Sequence, residues 1–244
     1  MMPVINTNVA AIKARGNFAR VQREMDQSIA RLSSGKRINS AHDDAAGLAI
    51  AGRLESQVRG TNMLIRNARD GQSLVDTMEG ALQEVSGILQ RMRELAVQAS
   101  SGIGTAADRG YLDTEITALF NEIDAIAKNT TFNETALFSA ASQHSFYTDI
   151  NITGTEIVVS ANVLTNNAML MSYEDVTIST VAHVQSAISA IDGGLSIIDT
   201  NRAKLGAISN RFDHVIDNLT NIVANTTSAQ SRIQDADYAV ETTA

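Results

Sequence analysis

Few residues of this 244-residue chain combine the types and spacing that catalysis or metal binding requires. His42 is followed by Asp43 and Asp44, but three adjacent residues cannot surround an ion without ligands from elsewhere in the chain. Polar side chains in such a cluster commonly cap a helix. We therefore interpret residues 39–44 as a capped turn and predict no metal site. The remaining histidines are scattered, at His144, His183 and His214.

The sequence also contains no recognisable enzyme motif. It has no phosphate-binding loop, no nucleophile elbow and no zinc-protease motif. It has no cysteine, which excludes disulfides, thiolate metal ligands and cysteine nucleophiles. We predict that the protein is not an enzyme and that it uses no cofactor.

The dominant pattern is a heptad repeat within residues 48–99, a segment without proline. Its period places the apolar side chains on one seam of a helix, and such a seam requires partner helices. A helix of this length would measure roughly 78 Å, about twice the width of a compact domain of this size. The seam residues are Val75, Met78, Leu82, Val85, Leu89, Met92 and Ala96.

Two further segments can supply the partner helices. Residues 112–126 repeat leucine and isoleucine at helical spacing, and the short connection before them predicts an antiparallel hairpin of helices. The heptad returns at residues 184–233 and there includes Leu205, Ile208, Phe212, Val215, Leu219 and Ile222. We predict a mainly α fold, an elongated rod of long antiparallel helices with coiled-coil-like packing.

Three glycines interrupt the long helical segment, namely Gly71, Gly80 and Gly87. Each costs about 1 kcal/mol relative to alanine in a helix interior. They predict either the close approach of a neighbouring helix or a bend, and the sequence does not separate the two.

The middle of the chain is richer in β-branched residues. Residues 149–153 and 156–160 flank Gly154 and Thr155, which predicts a β-hairpin, and residues 175–179 predict a third strand. About fifty residues are too few for a robust second domain. We therefore predict a small β-hairpin region attached to the helices.

The N-terminal residues 1–44 form a helical arm whose apolar seam has no partner of equal length. The seam contains Phe18, Val21, Met25, Ser28 and Leu32. The last helical heptad still continues when the chain stops at Ala244. A half-covered seam is unstable alone. We expect that the chain is cut short or that another subunit covers the arm.

The charge is divided unevenly along the chain. Residues 1–70 contain 11 lysines and arginines against 6 aspartates and glutamates, a net charge of +5, and the remainder carries −13. A basic arm can bind nucleic acid, but these arginines are spread along helical faces with few aromatic residues among them. We predict that they pair with acidic residues of the same molecule or of a neighbour, and that nucleic acid is not bound.

Neither a membrane span nor a secretory leader is visible. No run of eighteen apolar residues occurs, so we predict no membrane insertion. The first residues lack a basic stretch followed by an apolar one, which predicts that there is no cleavable signal peptide.

Several motifs together resemble those of bacterial flagellins. They lie near both ends of the chain, in the same order as in that family. The matching stretches are Ile5–Asn8, Leu32–Ile50, Arg66–Gly71, Gln90–Gln98, Thr131–Asn133 and Ser231–Tyr238.

The resemblance implies a structural subunit that self-assembles into the flagellar filament for motility. In flagellins the terminal helices pair as a coiled coil in the filament core, the long helices form a surrounding rod, and the middle is a variable region. It thus implies an arm at 1–44, a rod domain at 45–135 and 181–241, and a short variable region at 136–180. It also implies extracellular subunits, exported through the flagellar type III apparatus without a cleaved signal peptide.

Two departures from the family pattern stand out. The C-terminal terminal-domain helix is absent, so we expect a C-terminally truncated form that polymerises poorly. Glu134 follows Phe132 and Asn133 where flagellins usually have glycine, so the turn there is expected to differ.

The resemblance further implies recognition by Toll-like receptor 5 through the outer face of the long helices. The matching residues are Arg91, Leu95 and Glu115. Arg91 and Leu95 lie off the Val75–Ala96 seam, and we expect all three residues on a receptor or packing surface. Two other readings remain: a flagellin-like surface adhesin or glycan-binding protein, for which surface glycans would be the partners, and a hook–filament junction protein.

Overall fold

The protein is mainly helical in a computed structural model that describes residues 8–101, 104–138, 143–149, 156–160 and 173–243. The helical fold class predicted from the seams is therefore confirmed. The helices are α1 (Val9–Ser34), α2 (Ala45–Ala99), α3 (Ala106–Asn129), α4 (Tyr173–Val176), α5 (Val181–Gln234) and α6 (Tyr238–Glu241). The strands are β1 (Thr131–Phe132), β2 (Thr135–Ala136), β3 (Gln143–Tyr147) and β4 (Glu156–Ser160).

The chain divides into two compact units, with boundaries between residues 62 and 63 in α2 and between 219 and 220 in α5. The first unit contains α1, α6 and the adjoining ends of α2 and α5. In it, the segment after α5 runs against the end of α1. The backbone N–H of Ala236 donates to the carbonyl of Gly35 over 3.0 Å, and that of Arg37 donates to the carbonyl of Gln234 over 2.7 Å. Ile38 is fully buried at this junction.

The second unit is a helical core formed by α2, α3 and α5. Side-chain contacts show that α2 and α5 run antiparallel here. Residues later in α2 contact residues earlier in α5. The linked pairs are Gln72 with Asp213, Glu79 with Arg202, and Arg93 with Asp192. One continuous apolar cluster fills the space between the helices.

The predicted seam residues of α2, and those of α5 from Leu205 to Val215, face this apolar core. All seven residues of the α2 seam, from Val75 to Ala96, are buried. On α5, Leu205, Phe212 and Leu219 are buried, whereas the other three seam residues, Ile208, Val215 and Ile222, are half-buried.

The observed hairpin begins earlier in the chain than the sequence predicted. β3 pairs antiparallel with β4, so that Gln143 lies opposite Ser160 and Tyr147 opposite Glu156. The second predicted strand is correct, but the first, at 149–153, is not the partner; residues 150–153 of it lie outside the described residues. The observed register turns Phe146 inward, where its ring meets Phe212 edge-on at a centroid distance of 5.6 Å.

The predicted third strand at 175–179 is wrong. The alternating apolar residues that suggested a strand are in fact buried, because Val176 and Ile178 are both fully buried. The backbone, however, forms the short helix α4 and then an irregular segment. The Ile178 N–H donates to Oδ1 of Asp113 on α3 over 2.8 Å, and the Thr177 hydroxyl donates to the same atom over 2.9 Å. A side-chain carboxylate thus takes the place of a neighbouring strand.

The three glycines of α2 have different surroundings. A Cβ atom at Gly71 would lie 2.6 Å from Cζ of Phe212 and 3.1 Å from Cδ1 of Phe146. At Gly80 and Gly87 it would meet nothing within 4 Å. Gly71 is therefore explained by the close approach of two aromatic side chains, Phe212 of α5 and Phe146 of β3. Gly80 and Gly87 have no such packing reason.

Candidate interaction surface

Arg91 and Glu115, two of the three expected surface residues, contact each other across α2 and α3. Nε and Nη2 of Arg91 donate to Oε1 of Glu115 over 3.0 and 2.9 Å. Nη1 of Arg91 donates to Oε2 of Glu94, one turn further along α2, over 3.1 Å. These bonds, first that to Glu115 and then that to Glu94, raise the pKa of Arg91. The guanidinium is therefore held in one orientation on an open surface, with 51% of the side chain exposed.

Leu95 does not lie on this surface. Only 1% of its area is exposed, so the expectation of an exposed Leu95 is wrong. The reason is that α2 buries a stripe wider than the single seam. A second apolar row runs beside it at a spacing of seven, and α2 is covered on both rows, as expected for a helix with more than one neighbour. This row consists of Leu74, Ala81, Ile88 and Leu95.

The exposed apolar area beside Glu115 comes from a residue outside the predicted surface set. Tyr111 on α3 is 77% exposed. Tyr111 lies four residues before Glu115, which places the two on one face of α3. Its position outside the 112–126 seam was the available signal.

Among the described residues, the largest group of exposed large apolar side chains belongs to α1, none of whose residues is buried. Along its seam, Phe18 is 71%, Val21 56% and Met25 50% exposed. The helix itself is well terminated. Asn8 caps its start by accepting a hydrogen bond from the N–H of Ala11, and Gly35 ends it with a left-handed φ of 69°.

The His42–Asp44 cluster is a capped turn, as predicted. Oδ2 of Asp43 accepts hydrogen bonds from the backbone N–H of Asn39 and from the N–H and hydroxyl of Ser40. These bonds, led by that from the Ser40 N–H, lower the pKa of Asp43. Its Oδ1 accepts a bond from Gln27 of α1. Within the described ranges, no three potential ligand side chains lie close enough to hold a metal ion.

These features define a class of protein: a helical subunit with a packed core, polar surfaces and one long apolar helix face left uncovered. Two family models then match most of the chain, the bacterial flagellin N-terminal helical region over residues 5–143 and the C-terminal helical region over residues 188–244. The chain belongs to the bacterial flagellin family.

Individual flagellins resemble the chain over nearly its whole length. A flagellin of Halalkalibacterium halodurans is 39% identical, with 98% of this chain and 88% of the relative covered. Flagellin B of Vibrio cholerae is 33% identical, with 98% and 91% covered. The crystal structure of Bacillus cereus flagellin matches with a TM-score of 0.57 at 30% identity, covering 68% of this chain and 94% of that one.

A putative flagellar hook-associated protein of Vibrio parahaemolyticus shares the fold, with a TM-score of 0.68 at 16% identity. It covers 79% of this chain and 100% of that protein. At this identity the likeness concerns the fold alone.

The chain is accordingly a structural subunit of the bacterial flagellar filament, an extracellular assembly of flagellin subunits. The alternative of a surface adhesin or glycan-binding protein is not favoured. The part of the chain that the structure describes contains no helix long and apolar enough to span a membrane.

Proposed function

We propose that the subunit joins the filament through the apolar face of α1. The observation that carries this proposal is the exposure of Phe18, Val21 and Met25 on a helix without a single buried residue. Fully burying such a side chain contributes about 1.5–3 kcal/mol. A face that carries several of them therefore provides a strong driving force for helix pairing. Its 3–4 spacing suits the terminal coiled coil that flagellins form in the filament core.

Substitutions on α1 test this proposal in the full-length subunit. Phe18→Asp and Met25→Asp place a charge on the apolar face, and we expect either change to abolish filaments in electron micrographs. Ala30→Asp is the matched control, because Ala30 is exposed on the opposite side of α1 and the change adds the same charge. Normal filaments from Phe18→Asp and Met25→Asp would contradict the proposal.

We propose the domain division that the resemblance implies: an arm at 1–44, a helical domain at 45–135 and 181–241, and a variable region at 136–180. The helix ends support it, because α1 stops at Ser34, α2 starts at Ala45 and α5 starts at Val181.

We further propose that the subunit performs no catalysis and that it is exported through the flagellar type III apparatus without cleavage of a signal peptide. Mass spectrometry of filament subunits would contradict the last point if residues 1–20 were missing.

We also propose that Toll-like receptor 5 recognises the α2–α3 face of the free subunit, the surface around Arg91 and Glu115. The supporting observation is the fixed, half-exposed guanidinium of Arg91. Arginines held in this way need little ordering when a partner binds. Leu95, being buried, would support this face from beneath. Arg91→Ala should weaken binding to the receptor ectodomain more than tenfold, and unchanged affinity would contradict the proposal.

A further inference from the structure

The connection between α1 and α2, residues 35–44, is fixed at its start, in its middle and at its end. Mobile loops have few buried contacts, whereas this connection begins at the left-handed Gly35 and contains the fully buried Ile38. We propose that the connection is a rigid joint that sets the direction of α1 relative to the start of α2. The inference rests on the proposal that α1 joins the filament through its apolar face.

The segment at the end of α5 fixes the first half of the connection. The backbone N–H groups of Arg37 and Ile38 both donate to the carbonyl of Gln234, over 2.7 and 3.3 Å. Nη2 of Arg37 also donates to the carbonyl of Ile233 over 2.6 Å. These bonds tie the chain to the end of α5 immediately after α1 stops.

The carboxylate of Asp43 fixes the second half and joins it to α1. Its Oδ2 accepts the three bonds from Asn39 and Ser40 described above, and the Asp43 N–H donates to the carbonyl of Ser40 over 3.1 Å. Its Oδ1 accepts a bond from Nε2 of Gln27 on α1 over 3.1 Å. One carboxylate therefore closes the turn and connects it to the helix that the turn follows.

At Gly47 the connection meets the first turn of α2. The Gly47 N–H donates to Oδ1 of Asp44 over 2.8 Å. A Cβ atom at Gly47 would lie 2.6 Å from Cδ1 of Ile38 and 2.9 Å from Cγ of Asp44. Ile38 is fully buried and Asp44 is held by its bond to Gly47, so neither side chain moves freely. The connection thus packs so closely on α2 that a side chain at this position displaces it.

The length of α1 makes its direction important. Its 26 residues extend for about 39 Å. A rotation of about 10° at the joint would therefore move the far end of α1 by about 7 Å, close to the roughly 8–10 Å that separates packed helices. A rigid joint holds the apolar face where partner helices cover it and lowers the ordering cost of association.

Gly47→Ala in the full-length subunit tests the inference, and Gly52→Ala is the matched control. Both changes place alanine in α2, but a Cβ atom at Gly52 would meet nothing within 4 Å. Spin labels report the direction of α1 in free subunits when they are attached to Ala30→Cys on α1 and Ser56→Cys on α2. Both positions are exposed, and the chain has no other cysteine.

Electron–electron double resonance should give one narrow distance distribution for the labelled subunit and for Gly52→Ala. In Gly47→Ala the distribution should shift or become at least about twofold broader, because the new methyl group displaces its neighbours. Asp43→Ala, which adds no atoms to the packed joint, should broaden it as well. The critical concentration for filament assembly should rise at least about tenfold in Gly47→Ala and stay unchanged in Gly52→Ala.

The outcomes separate the inference from the proposal on which it rests. A broad distribution in the labelled parent subunit, or an unchanged one in Gly47→Ala, would overturn the rigid joint. Altered distances with normal assembly in Gly47→Ala would refute its role in directing α1. If Phe18→Asp still forms filaments, assembly through the α1 face is refuted, and the distances still decide whether the joint is rigid.

Discussion

At the scale of single residues, the turn between β1 and β2 carries local strain. Asn133 and Glu134, its two central residues, have φ values of 47° and 65°. Two positive φ values in a two-residue hairpin turn are typical of type I′, which favours glycine at the second position. A non-glycine residue in this region costs about 1–2 kcal/mol. Glu134 therefore adopts the conformation that glycine adopts most easily.

We predict that Glu134→Gly stabilises the protein by about 0.5–1 kcal/mol, because the relieved strain exceeds the entropy that glycine loses on folding. Thermal and urea unfolding measure the change. Thr135→Gly is the control: it places glycine in strand β2, where it should destabilise. A Glu134→Gly variant that is less stable than the wild type would contradict the strained turn.

The three glycines of α2 give a second test at this scale. Gly71→Ala should destabilise by about 1–2 kcal/mol, because the new methyl group would overlap with the fully buried ring of Phe212. Gly87→Ala should stabilise by up to about 1 kcal/mol, since the space there is open and alanine favours the helix. Urea unfolding of both variants compares them directly. Equal effects at the two positions would show that packing does not distinguish them.

At the scale of elements, the segment after α5 binds the C-terminal end of α1 through a hydrogen bond and an ion pair. The hydroxyl of Tyr238 donates to the carbonyl of Leu32 over 2.9 Å, and Arg31 forms an ion pair with Glu241 over 2.9 Å. The carbonyls at the end of a helix have no partner within the helix. Here α6 supplies one, so the end of the arm and the C-terminal segment are joined by side chains as well as by backbone.

We predict that Tyr238→Phe loosens this junction by about 1 kcal/mol, the typical contribution of one hydrogen bond. Amide exchange of Arg37, Ile38 and Ala236 should become about fivefold faster, as that free energy implies. Tyr111→Phe, which alters an exposed ring elsewhere, should leave these amides unchanged. Unchanged exchange in Tyr238→Phe would mean that its hydroxyl does not hold the junction.

The sequence predicted the long helices better than the β region, for physical reasons. Heptad spacing shows within a short stretch of sequence which residues of a helix are buried. Met78, Leu89 and Phe212 could therefore be assigned to the core from their sequence neighbours alone. The observed register of β3 with β4 instead accompanies the contact of Phe146 with Phe212, which joins residues far apart in the chain and leaves no local sequence pattern. The prediction of a strand at 175–179 was wrong because the backbone N–H of Ile178 donates a hydrogen bond to Asp113 on α3, and not to a neighbouring strand.

The interaction surface could be predicted only in part. Arg91 and Glu115 were expected on one surface, and they lie together there. Leu95 was misplaced because one helical seam was considered and the second row of α2 was not. Tyr111 was missed because the prediction followed the seam residues, and Tyr111 lies outside the 112–126 seam.

At the scale of the whole molecule, the uncovered arm is the feature that needs a filament to explain it. Its charge is also uneven, since α1 has five lysines and arginines, namely Lys13, Arg15, Arg20, Arg23 and Arg31, against Glu24 and Asp26. Of the ion pairs formed in the described residues, Arg20–Glu24 and Arg31–Glu241 involve this helix. Both its apolar face and most of its cations are thus available to neighbouring subunits.

The most direct test measures the accessibility of the α1 face before and after assembly. The chain has no cysteine, so Met25→Cys provides a single thiol on that face, at a position that is 50% exposed. We predict that a maleimide labels this thiol readily in free full-length subunits and at least about a hundredfold more slowly in filaments, because packing excludes the reagent. Equal labelling rates in the two states would show that the α1 face stays uncovered, and would contradict assembly through it.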